Sequence, residues 1–431
     1  MLGLITTLLI DTSIVKIYDI VDKNFIPTYY KVMLFSVNSL TCLIFQYLIV
    51  RYLRSSFQKY LFNQAPHSNL FYRIFFISLS LQAISFGFLT SQMFYDNSYY
   101  TLMIIMVIII SYLTTSLFLV ILSIFFVSWY KSNPSLLVLM YSISILLIVF
   151  NLIITVIYTS LNIDDRPDEI RRYVGGSMNI SVGRYILLSN IYTVSSILSF
   201  VSIWITTAIL MKNYKDKLIH ALAYWIILSL PLIYYSINYS YRFIFGSVLT
   251  DYLTIDPRTV SIILTAFLSL SKPIGGLTFG IVFWRISKSV GYERKIKTYM
   301  IISGWGILLL FATDQATSQT LTPYPPFGIA TITALILAGY LMLLGIYNSA
   351  ALVSVNTDLR RSIYKHAFES RLLNLIGRAE ADKEIQKTVR RIIQDKEIQK
   401  MNAETNVDLD EQELKKHLDF VMREVKKIKD K

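Results

Sequence analysis

TVSIILTAFLSLSKPIGGLTFGIVFWRI (residues 259–286), TYMIISGWGILLLFATDQATSQTL (residues 298–321) and FGIATITALILAGYLMLLGIYNSAALVSV (residues 327–355) decide the fold. Each is longer than the roughly 20 apolar residues that a helix needs to cross about 30 Å of hydrocarbon. They read as the last three of about nine membrane-spanning helices. Two ionisable groups stand well inside them: Lys272, followed by Pro273, Gly275 and Gly276, and Asp314, followed by Gln315. A charge at that depth costs roughly 2.5–3.5 kcal/mol on insertion scales, so each is expected to have a partner or a purpose.

Composition agrees with a lipid solvent. The chain has 431 residues, 54% of them hydrophobic and 16% charged, where a soluble protein carries about 25% charged residues. The charge that exists is concentrated after residue 355. A net charge of +13 would point to nucleic acid in a soluble chain. Here the Lys and Arg residues flank apolar runs, so they read as topology signals and contacts for anionic membrane lipid, and no nucleic-acid partner is expected. The single cysteine, Cys42, excludes an internal disulfide and a cysteine-based metal site.

Working back toward the N-terminus, further spans are expected at residues 32–50, 74–95, 99–130, 136–161, 185–211 and 218–245, the last containing Pro231. The span at 99–130 is longer than hydrocarbon requires and should tilt or project. Residues 2–10 are apolar but too few to span, and no basic segment precedes them. They are expected to form a short helix at the interface. The loops after the first, third, fifth and seventh spans are basic, and the alternate loops are acidic or mixed. The positive-inside rule then places the N-terminus outside and the C-terminus in the cytoplasm, in a multi-pass plasma-membrane protein. The expected fold is an all-α polytopic bundle in three parts. Residues 1–26 form an extracytoplasmic or interfacial segment, residues 27–355 a nine-helix membrane domain, and residues 356–431 a charged, helical, coiled-coil-like cytoplasmic tail.

Lys272 lies roughly 20 Å along its span and Asp314 roughly 12 Å from the same outer surface, at about 1.5 Å per residue. A short loop joins the two helices, so an ion pair inside the bundle is within reach. Pro273 releases a backbone carbonyl and Gly275-Gly276 allows close helix approach, which together read as a helix break beside a polar cavity. The competing reading is a structural pair. Tyrosine, with 30 residues, clusters at span ends as an interfacial belt. The crowding of Tyr235, Asn238, Tyr239 and Arg242 marks a second candidate, a ligand mouth at the outer end of the sixth span. Asn38, Gln82, Asn151, Asn190 and Asn238 sit in different spans and are expected to hydrogen-bond between helices.

In the tail, Leu372, Leu375, Ile376 and Ala379 form a helical stripe. Leu414, Leu418, Val421, Val425 and Ile428 then alternate by four and three residues. That seam is expected to pack on the first tail helix, on a second copy of the chain, or on a cytoplasmic partner. Walker A, HExxH and GxSxG patterns are absent, and the four histidines, His67, His220, His366 and His417, fall in loops, near span ends or in the tail. Neither catalysis, a metal nor a cofactor is expected.

The layout of apolar spans followed by an exit helix at residues 358–379 resembles the multi-helix sensory input modules of membrane histidine kinases. That resemblance implies a sensor. His366, in Tyr-Lys-His-Ala-Phe-Glu, departs from the kinase phosphoacceptor pattern, and no ATP-binding pattern follows it. Signalling is therefore expected to pass through a separate partner. Ser271-Lys-Pro-Ile-Gly-Gly, Asp314-Gln-Ala-Thr and Pro323-Tyr-Pro-Pro-Phe resemble stretches of uncharacterised archaeal polytopic membrane proteins, which implies no activity. Two functions follow from this reading: a non-catalytic receptor-like bundle working through its tail, and a transporter or channel using Lys272 and Asp314.

Overall fold

Apolar runs that meet no water must satisfy their backbone groups internally, which favours helices. The computed structural model describes residues 1–20, 27–64, 68–96, 98–164, 182–211, 221–244, 270–289, 294–319, 325–355 and 371–403. Among these described residues every regular element is a helix: α1 (Leu2–Ile20), α2 (Thr28–Gln64), α3 (Ser68–Asp96), α4 (Thr101–Ser132), α5 (Leu136–Asp164), α6 (Val182–Met211), α7 (Ala221–Ile244), α8 (Ser271–Ser289), α9 (Arg294–Gln319), α10 (Ile329–Val355) and α11 (Arg371–Ala403).

Seven of them, α2 to α6, α9 and α10, are long and apolar enough to cross a membrane, as in an integral membrane protein. Two runs expected from sequence fall short of that measure. The run at 218–245 corresponds to α7, whose apolar part among the described residues is Leu228–Ile237. The run at 259–286 corresponds to α8, which opens at Ser271, with residues 245–269 outside the described residues.

The bundle is organised around α10. A span-length window of this helix is 100% buried, whereas the other six candidate spans bury 39–67% of theirs. It touches α1, α2, α3, α4, α9 and α11. A second group, α5 to α8, closes against α4 and α9. Exposed apolar side chains such as Leu40, Ile84, Ile124 and Leu198 cover the outward faces of the spans, as expected where the surroundings are lipid.

Glycines set the closest packing. A Cβ on Gly280 of α8 would stand 2.7 Å from the Gly304 carbonyl oxygen of α9. One on Gly306 of α9 would stand 2.7 Å from the Met342 nitrogen of α10. The three backbones therefore meet without intervening side chains, the arrangement that small residues allow in membranes. Three of the five expected interhelical amides bond across helices: Asn38 Nδ2 to Asp11 Oδ1 (3.1 Å), Gln82 Nε2 to Ser111 Oγ (2.7 Å), and Asn151 Oδ1 from Ser195 Oγ (3.1 Å). Asn190 is exposed, and the side chain of Asn238 lies outside the described residues.

The N-terminal helix differs from the expected short interfacial one. It runs on to Ile20, and Leu4, Leu8 and Asp11 are buried against the bundle. Asp11, which directly follows the apolar run of residues 2–10, is placed where helix donors need it. Gly328, at φ 96°, turns the chain into α10, and its carbonyl accepts the Ile332 N–H at 3.2 Å. Asp11 Oδ2 then accepts the Thr331 N–H at 3.0 Å and the Thr331 hydroxyl at 2.8 Å. The orphan donors of a helix start are thus capped by a carboxylate from another helix, at the positive end of the α10 dipole. Burial pushes the Asp11 carboxyl up from its ordinary value, and the hydrogen bonds from Thr331, Gly328 and Asn38 act in the opposite sense.

Candidate functional site

Register carries two rare charges to one level. Since α9 runs antiparallel to α8, the Gly280–Gly304 crossing puts Lys272 opposite Asp314. Lys272 Nζ donates to Asp314 Oδ2 at 2.6 Å. Their side chains are 3% and 6% exposed, which makes this a desolvated pair. From the Gly306 crossing, Asp314 is also level with the first turn of α10, so the pair and the Asp11 cap lie at the same end of the bundle.

An aromatic wall stands beside the pair. The Lys272 ammonium is 5.9 Å from the centroid of the Tyr192 ring of α6. Tyr192 stacks on Tyr158 of α5, with centroids 4.8 Å apart and planes 4° from parallel. Below it, the Phe200 ring of α6 fills the position a Gly275 side chain would take, and Phe311 Cβ lies 2.8 Å from where a Gly276 Cβ would be. These glycines admit aromatic rings and a neighbouring helix between α8 and its partners. Pro273 falls in the first turn of α8, where a missing N–H costs little. Asp314 Oδ1 is buried and has no hydrogen-bond partner among the described residues. The side chain of Gln315 lies outside them.

Of the second candidate, only the Tyr235 side chain lies among the described residues. Tyr235 is buried, shares a hydrogen bond with Ser196 at 2.8 Å, and stacks on Phe200 at 4.1 Å. Its ring is held in the α6–α7 contact. The side chains of Asn238, Tyr239 and Arg242 lie outside the described residues.

A third arrangement occurs at the opposite end, and it was not singled out from sequence. There α11 folds back onto α4 and α10. Leu372, Leu373, Ile376 and Ala379 are buried, and Gly377 rests on Val353. Glu380, itself buried, accepts the Trp129 Nε1–H at 2.6 Å. Lys383 stands 3.9 Å from the same carboxylate and 5.7 Å from the centre of the Phe125 ring, which stacks on Tyr347 of α10 at 4.6 Å. The surplus length of α4 thus receives the tail helix. The stripe of Leu372, Ile376 and Ala379 pointed to burial, but nothing marked Glu380 as the acid that would turn inward. The seam of Leu414, Leu418, Val421, Val425 and Ile428 lies outside the described residues.

No family model, curated protein or solved structure matches this chain. Among the described residues no group of three or more His, Cys, Asp or Glu side chains is placed to hold a metal ion.

Proposed function

We propose that this is a non-catalytic, receptor-like membrane protein, N-terminus outside and C-terminus in the cytoplasm. On this reading nine helices cross the bilayer, and a change near the Lys272–Asp314 pair alters the docking of α11, which presents the tail to a cytoplasmic partner or a second copy. The observation that carries the reading is the seat of α11. It is bound to the very helix, α10, whose other end is capped by Asp11 and whose flank is α9. The orientation draws support from Arg51, Arg54, Lys131, Arg285, Lys288, Lys295 and Lys297, which cluster at the α11 end of their helices.

Coupling between the two ends is the testable content. Trypsin should cut α11 at Arg378, Lys383, Arg390 and Arg391 at a rate set by how often it undocks. Lys272→Met and Asp314→Asn should change that rate several-fold, and Gly87→Ala, at a site with nothing within 4 Å, should not. Equal cutting in all four proteins refutes the coupling.

The second reading is a transporter or channel, and a specific observation favours it: a buried ion pair beside the start of a helix and close to one end of the bundle. Flux of small ions and amines into liposomes that is absent, or identical in wild type, Lys272→Met and Asp314→Asn, rules it out.

A further inference from the structure

Asp314 is poorly served for a buried carboxylate. An ionised carboxylate offers about four acceptor positions. Among the described residues one oxygen takes a single ammonium hydrogen and the other has no donor. A buried acceptor left unpaired costs about 1–3 kcal/mol, and more when charged. The group completing the site is a cation on a flexible four-carbon stem, lying against the carboxylate and near an aromatic face. An acid and a stacked tyrosine pair are the chemistry that recognises an organic ammonium. The lysine does not supply the second hydrogen bond. An ammonium that entered from outside, free to choose its own position, would not be so restricted.

We infer that Asp314 and Tyr192, whose ring is backed by Tyr158, form a binding site for a small primary alkylammonium, occupied at rest by the protein's own Lys272. A ligand of this class competes with Lys272 for Asp314. This deepens the receptor reading by naming the ligand class of the same site, and rests on it for any effect at the tail. Displacing Lys272 would release the first turn of α8 from α9. Because Lys272 is tethered, it competes at an effective concentration of millimolar or more. The wild type should therefore need at least about tenfold more ligand than a protein from which the lysine stem is removed.

The experiment uses the full chain in detergent, with n-butylammonium as probe because its length matches the lysine stem, and n-butanol as the neutral control. Wild type, Lys272→Ala and Lys272→Ala/Asp314→Asn are melted over a ligand series. The expected result is a saturable rise of about 3 °C or more in Lys272→Ala, with none from n-butanol and none in the double variant. In wild type the same rise should require at least tenfold more n-butylammonium. If Lys272→Ala does not survive extraction, the amine is kept present throughout, and monodisperse recovery replaces the melting temperature. An absent amine effect, an equal effect from n-butanol, or an equal effect in the double variant overturns the inference. Trypsin cutting of α11 is read separately. A tail that responds to the charge variants but not to the amine sinks the ligand class and leaves the receptor reading intact.

Discussion

Replacing Asp11 by alanine should destabilise the whole bundle, although the residue lies in a helix too short in its apolar part to count as a span. Its carboxylate accepts the Thr331 N–H at 3.0 Å, the Thr331 hydroxyl at 2.8 Å and the Asn38 amide at 3.1 Å. Losing a helix N-cap costs about 0.5–2 kcal/mol. The Thr331 hydroxyl can rotate to another acceptor, but the Asn38 amide is 6% exposed and would be stranded, at about 1–3 kcal/mol. Together these amount to about 1.5–5 kcal/mol. Asp11→Asn keeps one acceptor oxygen and should cost about 1–2 kcal/mol by the same reasoning. The assay is built into the chain, because Cys42 is its single cysteine, is fully buried, and stands 3.4 Å from the Ala330 carbonyl beside this cap. A fluorogenic maleimide therefore reports the opening of α2 from α10 during denaturation. If Asp11→Ala unfolds within about 0.5 kcal/mol of wild type, the scale of a neutral surface change, the capping argument fails.

Other outcomes follow from the same packing. Gly306→Ala should lose about 1–3 kcal/mol by forcing α9 off the α10 backbone. Gly87→Ala, with open space around it, should be neutral or stabilising by up to about 1 kcal/mol; thermal melts of the pair check both. For the ion pair, Lys272→Met and Asp314→Asn should each cost about 3–5 kcal/mol, and the double variant less than either, since it strands no charge. Additive losses would show that the two groups do not stabilise one another. Glu380→Gln and Trp129→Phe, placed in a double-mutant cycle, should show a coupling of about 1.5–3 kcal/mol for a hydrogen bond to a charged group. A coupling near zero would mean that the apolar stripe alone seats α11.

The pairing of Lys272 with Asp314 was legible because charge is scarce in apolar runs, and each such group can be assigned a depth from helix rise alone. The centrality of α10 was not. By hydropathy α4 and α5 exceed it, yet it is α10 that is enclosed. Hydropathy measures transfer from water and is blind to whether an apolar side chain meets lipid or another helix. The usable signal lay elsewhere, in the small residues of α10: Ala334, Ala338, Gly339, Gly345 and Ala350 let neighbouring backbones approach from several sides. Asp11 was misleading for a related reason. A lone acid after nine apolar residues reads as the end of a segment, and only tertiary contact shows that it serves a helix 320 residues away. Glu380 sits among charged neighbours, where local sequence cannot say which one turns inward.

How a disturbance at one end would reach the other depends on which contacts can yield. The α8–α9 and α9–α10 contacts bring backbone against backbone at Gly280 and Gly306, so no side chain is available at those two crossings to change rotamer and absorb a shift. Close-packed interiors transmit displacement for this reason. The contacts that α4 makes with α10 and α11 near the tail are different in kind. There α4 meets α10 through Phe125 stacked on Tyr347, and α4 meets α11 through one carboxylate on an indole, Glu380 on Trp129. Rings can slide and a single hydrogen bond can open at far lower cost than two backbones can part. A movement of α8 would therefore carry α9 and α10 with it and be taken up at the seat of α11. That is why the tail helix, rather than any element near the ion pair, is where a response at Lys272 should first be visible.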